Sequence, residues 1–71
     1  MSTLTIVVNG KETQTTEGAT LFALLRKNGI GENTEGVAVA VNSTVIPRRQ
    51  WDELRLLGGD VVEVIHAVQG G

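Results

Sequence analysis

The segment Thr3-Leu4-Thr5-Ile6-Val7-Val8 alternates in polarity and predicts a strand, with Leu4, Ile6 and Val8 on one face. Asn9-Gly10 follows, a pair suited to a type I′ turn, in which both central residues need positive φ. Lys11 to Thr16 is then the returning strand. Its threonines and Gln14 alternate only weakly with charge, which marks an exposed edge. At Gly18-Ala19-Thr20 the period changes. Thr20 is a good N-cap, and Leu21, Leu24 and Leu25 recur at helical spacing with Phe22 beside them. Arg26 and Lys27 suit the negative end of the helix dipole. Gly29 is a natural residue just past the helix end, and Ile30 is placed to touch Leu25 in a Schellman ending.

Gly31 to Gly36 reads as a polar loop. Val37-Ala38-Val39-Ala40-Val41 is apolar on both faces and predicts a central strand, its valine face covered by the helix. Asn42-Ser43-Thr44 turns the chain into a short strand, Val45-Ile46, which Pro47 halts. Trp51, Leu54 and Leu57 are spaced for a brief helical turn. After a turn at Gly58-Gly59-Asp60, Val61 to Val68 is the last strand, with Glu63 and His66 marking exposed positions. The order is ββαββ, with a small strand inserted between the last two main ones. A helix on one face of a mixed sheet buries this set of residues economically. A first hairpin and a last strand parallel to its first strand put the terminal strands side by side in the centre. The expected fold is therefore α+β, the β-grasp or ubiquitin-like arrangement, over residues 1–67, followed by a flexible Gly-Gly tail over residues 68–71.

Composition narrows the chemistry. With 71 residues there is room for one small domain, and such a chain buries only about 60% of its unfolded surface. The unbroken apolar run Val37 to Val41 is far too short to span a bilayer, and no secretory signal is legible, so the expected compartment is the cytoplasm. Cysteine is absent, which excludes a disulfide framework, a thiolate metal site and a cysteine nucleophile. One histidine, His66, makes an all-protein zinc site implausible. The net charge of −2 and only two aromatic residues, Phe22 and Trp51, argue against nucleic-acid binding. Nothing suggests a membrane partner.

Weaker signals resolve to ordinary structure. Gly29-Ile30-Gly31 lacks the lysine of a phosphate loop and leaves a helix instead of opening one. Asn42-Ser43-Thr44 matches a glycosylation acceptor but reads as a turn. His66, with only Ser2 and Ser43 as hydroxyl partners of serine type, reads as a solvent-facing strand residue. Arg48, Arg49 and Arg55 form a modest basic patch. Trp51 reads as a cap on the core, with an interface anchor as the alternative.

The C-terminus carries the chemistry. The sequence runs from a strand through Ala67-Val68-Gln69 into Gly70-Gly71. Two glycines lack Cβ and can thread a channel too narrow for side chains. From Val68 onward the chain can reach ~14 Å when extended, enough to enter a partner's active site. The group delivered there is the α-carboxylate of Gly71, ionised at neutral pH and resistant to nucleophilic attack. A partner would have to activate it, most simply as an acyl-adenylate made from ATP.

Several motifs together resemble the ThiS family, the sulfur carriers of thiamine biosynthesis. They are Val8-Asn9-Gly10, the helix Thr20 to Leu25, Val39-Ala40-Val41-Asn42, Ile46-Pro47-Arg48 with Trp51, Gly59 to Val64, and Ala67 to Gly71. The Gly-Gly ending is common to ubiquitin-like proteins, whereas the Pro-Arg-x-x-Trp element is much narrower. The resemblance implies a carrier and not an enzyme. It implies an E1-like adenylyltransferase that spends ATP on the terminal carboxylate, with no cofactor bound by the chain itself. It further implies a persulfide donor, either a cysteine desulfurase or a persulfide carrier, and a thiazole synthase that receives sulfur from the thiocarboxylate. Gly71 is then the modified residue and Gly70 its threading partner. Arg48, Trp51 and Val68 are the candidates for docking, though Arg48 and Trp51 serve the fold equally well on this reading. The rivals are the sulfur-carrying subunit of molybdopterin synthesis and a ubiquitin-like modifier or binding module working through an apolar sheet face. A cysteine-free chain has no thiol of its own to trap the sulfur it carries.

Overall fold

A computed structural model describes residues 2–31 and 34–66 of the chain. The strands are β1 (Thr3–Val8), β2 (Lys11–Thr16), β3 (Val37–Val41), β4 (Thr44–Val45) and β5 (Val61–His66), with one helix, α1 (Leu21–Lys27), and a 3-10 turn at Arg48–Gln50. They form a single mixed sheet in the order β2-β1-β5-β3-β4. The first and last strands are parallel neighbours, β3 runs antiparallel to β5, and α1 covers one face. This is the α+β grasp expected from the pattern. Among the described residues no helix is long and apolar enough to cross a membrane.

Local chemistry explains each boundary. Asn9 and Gly10 both take positive φ, 50° and 80°, as the hairpin turn requires. Their turn sets the register that pairs Val8 with Lys11 and Leu4 with Thr15. Thr20 caps α1 by accepting from the Ala23 N–H at 3.1 Å. The neighbouring free donors of the first turn also have partners, Leu21 N–H on Leu54 O and Phe22 N–H on Trp51 O, each at 2.8 Å. At the other end Ile30 N–H reaches Leu25 O and Gly29 N–H reaches Arg26 O, the two bonds of a Schellman motif. Gly29 supplies the positive φ, 83°, that this ending needs. Ile30 and Leu25 are both buried.

The core lies between α1 and the sheet. Ile6, Val39, Val41 and Val62 of the sheet share it with Leu21, Leu24 and Leu25 of the helix, and Ile30, Trp51 and Leu56 complete it. Trp51 is 2% exposed and its indole N–H donates to Ile46 O at 2.9 Å, so the core-cap reading is the correct one.

Three expectations shift in detail. The short strand is Thr44–Val45, one residue earlier than Val45-Ile46, because Asn42 and Ser43 make a tight turn with φ of 51° and 71°. The helical turn begins earlier than expected, at Arg48, and its bonds run on through Trp51 to Leu54, where Leu54 N–H reaches Gln50 O at 3.1 Å, so it does not extend to Leu57. Leu57 is 68% exposed, while Leu56 is 1% exposed and belongs to the core. Beyond Leu54 the chain is extended, bridging Thr20 to Arg55 and tying Leu56 N–H to Ala19 O. The two-residue period of that stretch, and not a helical one, selects the buried leucine. The last strand is described as far as His66, and the expected continuation through Ala67 and Val68 lies outside the described residues.

Candidate functional site

The site is built around β5, the central strand, because it leads into the C-terminal segment. Gly70, Gly71 and Val68 lie outside the described residues. Val37 pairs with His66, so β5 reaches the end of the sheet at which loop 31–36 enters β3. His66 is exposed, as expected of it.

Alternation along β5 separates two faces. Val62 and Val64 face the helix, whereas Val61, Glu63 and Ile65 face away from it. Register places Ala38, Ala40 and Val45 beside them from β3 and β4, and Val7 beside Val61 from β1. Val45, Val61 and Ile65 are 67%, 41% and 56% exposed. The result is an apolar strip along the helix-free face of the sheet. Among the described strand residues, the charges on that face are Glu12 and Glu63, both acidic. The apolar strip was legible in principle, since Val61 and Ile65 share the parity of the solvent-marking Glu63.

Arg48 and Trp51 are brought together, and their contacts are internal. The guanidinium stacks over the indole with its carbon 4.6 Å from the ring centre. It also donates to Gly31 O at 3.1 Å and to Thr34 O, bridging the 3-10 turn to loop 31–36. Thr34 Oγ1 in turn accepts from Gly31 N–H at 2.9 Å. Of the remaining arginines, Arg55 donates to Gly18 O at 2.9 Å, holding the chain beside the helix entry. Among the described residues no group of three or more His, Asp or Glu side chains could hold a metal ion.

Two residues were missed as more than turn formers. Asn9 Oδ1 accepts from Val64 N–H at 2.8 Å, and Asn42 Oδ1 accepts from Val61 N–H at 3.0 Å. Sequence reading marks both as turn residues, but the bonds span 55 and 19 positions, which no local pattern reveals.

The described residues thus form a single grasp unit whose central strand, β5, runs along an apolar, acid-edged sheet face. One helix on one face of a mixed sheet with parallel terminal strands is the architecture of a β-grasp domain. The ThiS family model matches residues 4–71, and the chain belongs to that family. It is 29% identical to the sulfur carrier protein ThiS of Escherichia coli, over 93% of this chain and 97% of that protein. It is 34% identical to the uncharacterized protein ycf40 of Porphyra purpurea, over 96% of this chain and 93% of that protein. The crystal structure of the thiamine biosynthesis protein ThiS from Geobacter metallireducens superposes with a TM-score of 0.79 at 28% identity, covering 96% of this chain and all of that one. A solution structure of a thiamine biosynthesis protein from the same organism gives 0.71 at 31% identity, over 96% of this chain and 88% of that one.

Proposed function

We propose that this protein carries sulfur for thiamine biosynthesis as a thiocarboxylate on Gly71. Family membership over residues 4–71, the C-terminal glycines included, is the observation that carries the reading. In the proposed cycle a carboxylate oxygen of Gly71 attacks the α-phosphorus of ATP on an E1-like adenylyltransferase, and pyrophosphate leaves. The terminal sulfur of a donor persulfide then attacks the acyl carbon and expels AMP, forming an acyl disulfide. A second thiol takes the donor sulfur into a new disulfide and releases the thiocarboxylate, which a thiazole synthase consumes. The donor is a cysteine desulfurase or a persulfide carrier. The protein's own part is delivery. Residues 68–71 serve as the delivering segment, Gly70 gives the narrow approach to Gly71, and the strip Val45-Val61-Ile65 docks the partners. Arg48 and Trp51 act through the fold, since their groups are committed to internal contacts. The cytoplasm is the compartment in which these partners meet.

Absence of cysteine supplies a clean test. The purified chain is incubated with host extract, ATP and a cysteine sulfur source, treated with a thiol-alkylating reagent, and its intact mass recorded. An ATP-dependent alkyl adduct localised to Gly71 is expected, and deletion of Gly71 abolishes it. A chain joined to other proteins with no adduct establishes a modifier instead. No change in an active extract leaves a ubiquitin-like binding module.

A further inference from the structure

Among the features outside the tail, one recurs on both sides of the strand that leads to it. β1 and β3 both end beside β5, and both end in an asparagine with left-handed backbone, φ 50° at Asn9 and 51° at Asn42. Each asparagine N–H continues the ladder, Asn9 onto Val62 O at 2.9 Å and Asn42 onto Val61 O at 2.7 Å. Each turn then diverts the asparagine's own carbonyl away from β5. In both cases the side-chain Oδ1 takes the place of that carbonyl and accepts the β5 N–H it would have accepted, at Val64 and at Val61. Among the described residues the parallel seam between β1 and β5 has two paired positions, Val7 with Val61 and Val8 with Val62. Asn9 extends its hold to Val64.

Bonds to backbone groups do not by themselves choose a register. Asn42 adds one that does: its Nδ2 donates to Asp60 Oδ1 at 3.0 Å, while Asp60 Oδ2 accepts from Leu57 N–H at 2.8 Å. Asp60 is thereby pinned to the end of β3 and to its own turn at the residue before β5. Such a pin is needed because the apolar pattern is permissive. A one-residue slip would bury Glu63, but a two-residue slip places Val64 where Val62 stood and keeps a valine there. That slip would move the end of the chain by about 7 Å.

We infer that Asn42 and Asn9 are positioning residues for β5, Asn42 choosing its register through Asp60 and Asn9 fastening the strand in that register, and that together they set how far the seven residues after Val64 carry Gly71. The inference rests on the proposed carrier function for its consequence and on the strand geometry for its cause. Glycine is the informative substitution, because it keeps the left-handed backbone and removes only the side chain. Asn9→Gly, Asn42→Gly and the double variant are compared with Asn9→Asp, which retains the acceptor.

Amide exchange and cross-strand nuclear Overhauser contacts are read first on the free protein. The Val64 amide exchanges about tenfold faster in Asn9→Gly and the Val61 amide about tenfold faster in Asn42→Gly. The double variant loses the close contact between Val37 and His66. ATP–pyrophosphate exchange with the host's adenylyltransferase is read second. There kcat falls about tenfold in the double variant with KM within about twofold, and Asn9→Asp stays near the parent. Unchanged exchange and contacts overturn the inference, as does faster exchange with unchanged kcat. A raised KM at constant kcat also overturns it, by making the asparagines docking residues. If the parent chain itself supports no pyrophosphate exchange, the carrier reading fails, and the contacts in the free protein still decide whether the asparagines hold the register.

Discussion

Replacing Arg48 by alanine separates a structural from a docking role for the Pro47-Arg48-x-x-Trp51 element. The guanidinium holds Gly31 O and Thr34 O and lies 4.6 Å from the Trp51 ring centre. A charged donor on a carbonyl contributes ~1.5 kcal/mol or more, and the half-buried setting of Arg48 keeps each bond near the low end. A stacked cation adds ~0.5–1 kcal/mol. The bonds share one side chain and are not independent, so the combined loss is about 2–3 kcal/mol. For a domain of this size that lowers the melting temperature by about 10–20 °C. Arg48→Lys keeps the charge but lacks the planar fork, so it loses about half as much. Urea unfolding followed by fluorescence of Trp51, the one tryptophan in the chain, measures both variants. A change below about 0.5 kcal/mol in Arg48→Ala would refute the staple and return the arginine to the surface.

Leu56→Ala leaves a cavity in the core and costs about 2–5 kcal/mol in the same unfolding assay, whereas Leu57→Ala stays within about 0.5 kcal/mol; the reverse order would restore the helical spacing first read for this stretch. Thr20→Ala removes the cap on Ala23 N–H and costs about 1 kcal/mol, while Thr20→Asp stays near the parent, both measured by thermal melting. Val61→Asp with Ile65→Asp puts charge on the open strip. It leaves the melting temperature within a few degrees and weakens binding to the adenylyltransferase at least about tenfold by titration calorimetry, and unchanged affinity would remove that face from the docking surface.

Much of the fold could be read from the chain alone because its signals are local. Asn9-Gly10, Thr20, Gly29 and Pro47 each constrain the backbone within a few residues of themselves. The alternation of Leu4, Ile6 and Val8 and the helical spacing of Leu21, Leu24 and Leu25 state which faces are buried. The role proposed for Gly70 and Gly71 rests on sequence alone, since both lie outside the described residues. Tertiary structure decided what depends on a distant partner. Leu56 and not Leu57 enters the core because a bridge to Thr20 keeps that stretch extended. Arg48 is an internal staple because folding brings loop 31–36 beneath it. Asn9 reaches Val64 and Asn42 reaches Val61 because β5, last in sequence, inserts between β1 and β3. A hydrogen bond to a strand that arrives 19 or 55 residues later leaves no periodic trace, and only the closed sheet reveals it.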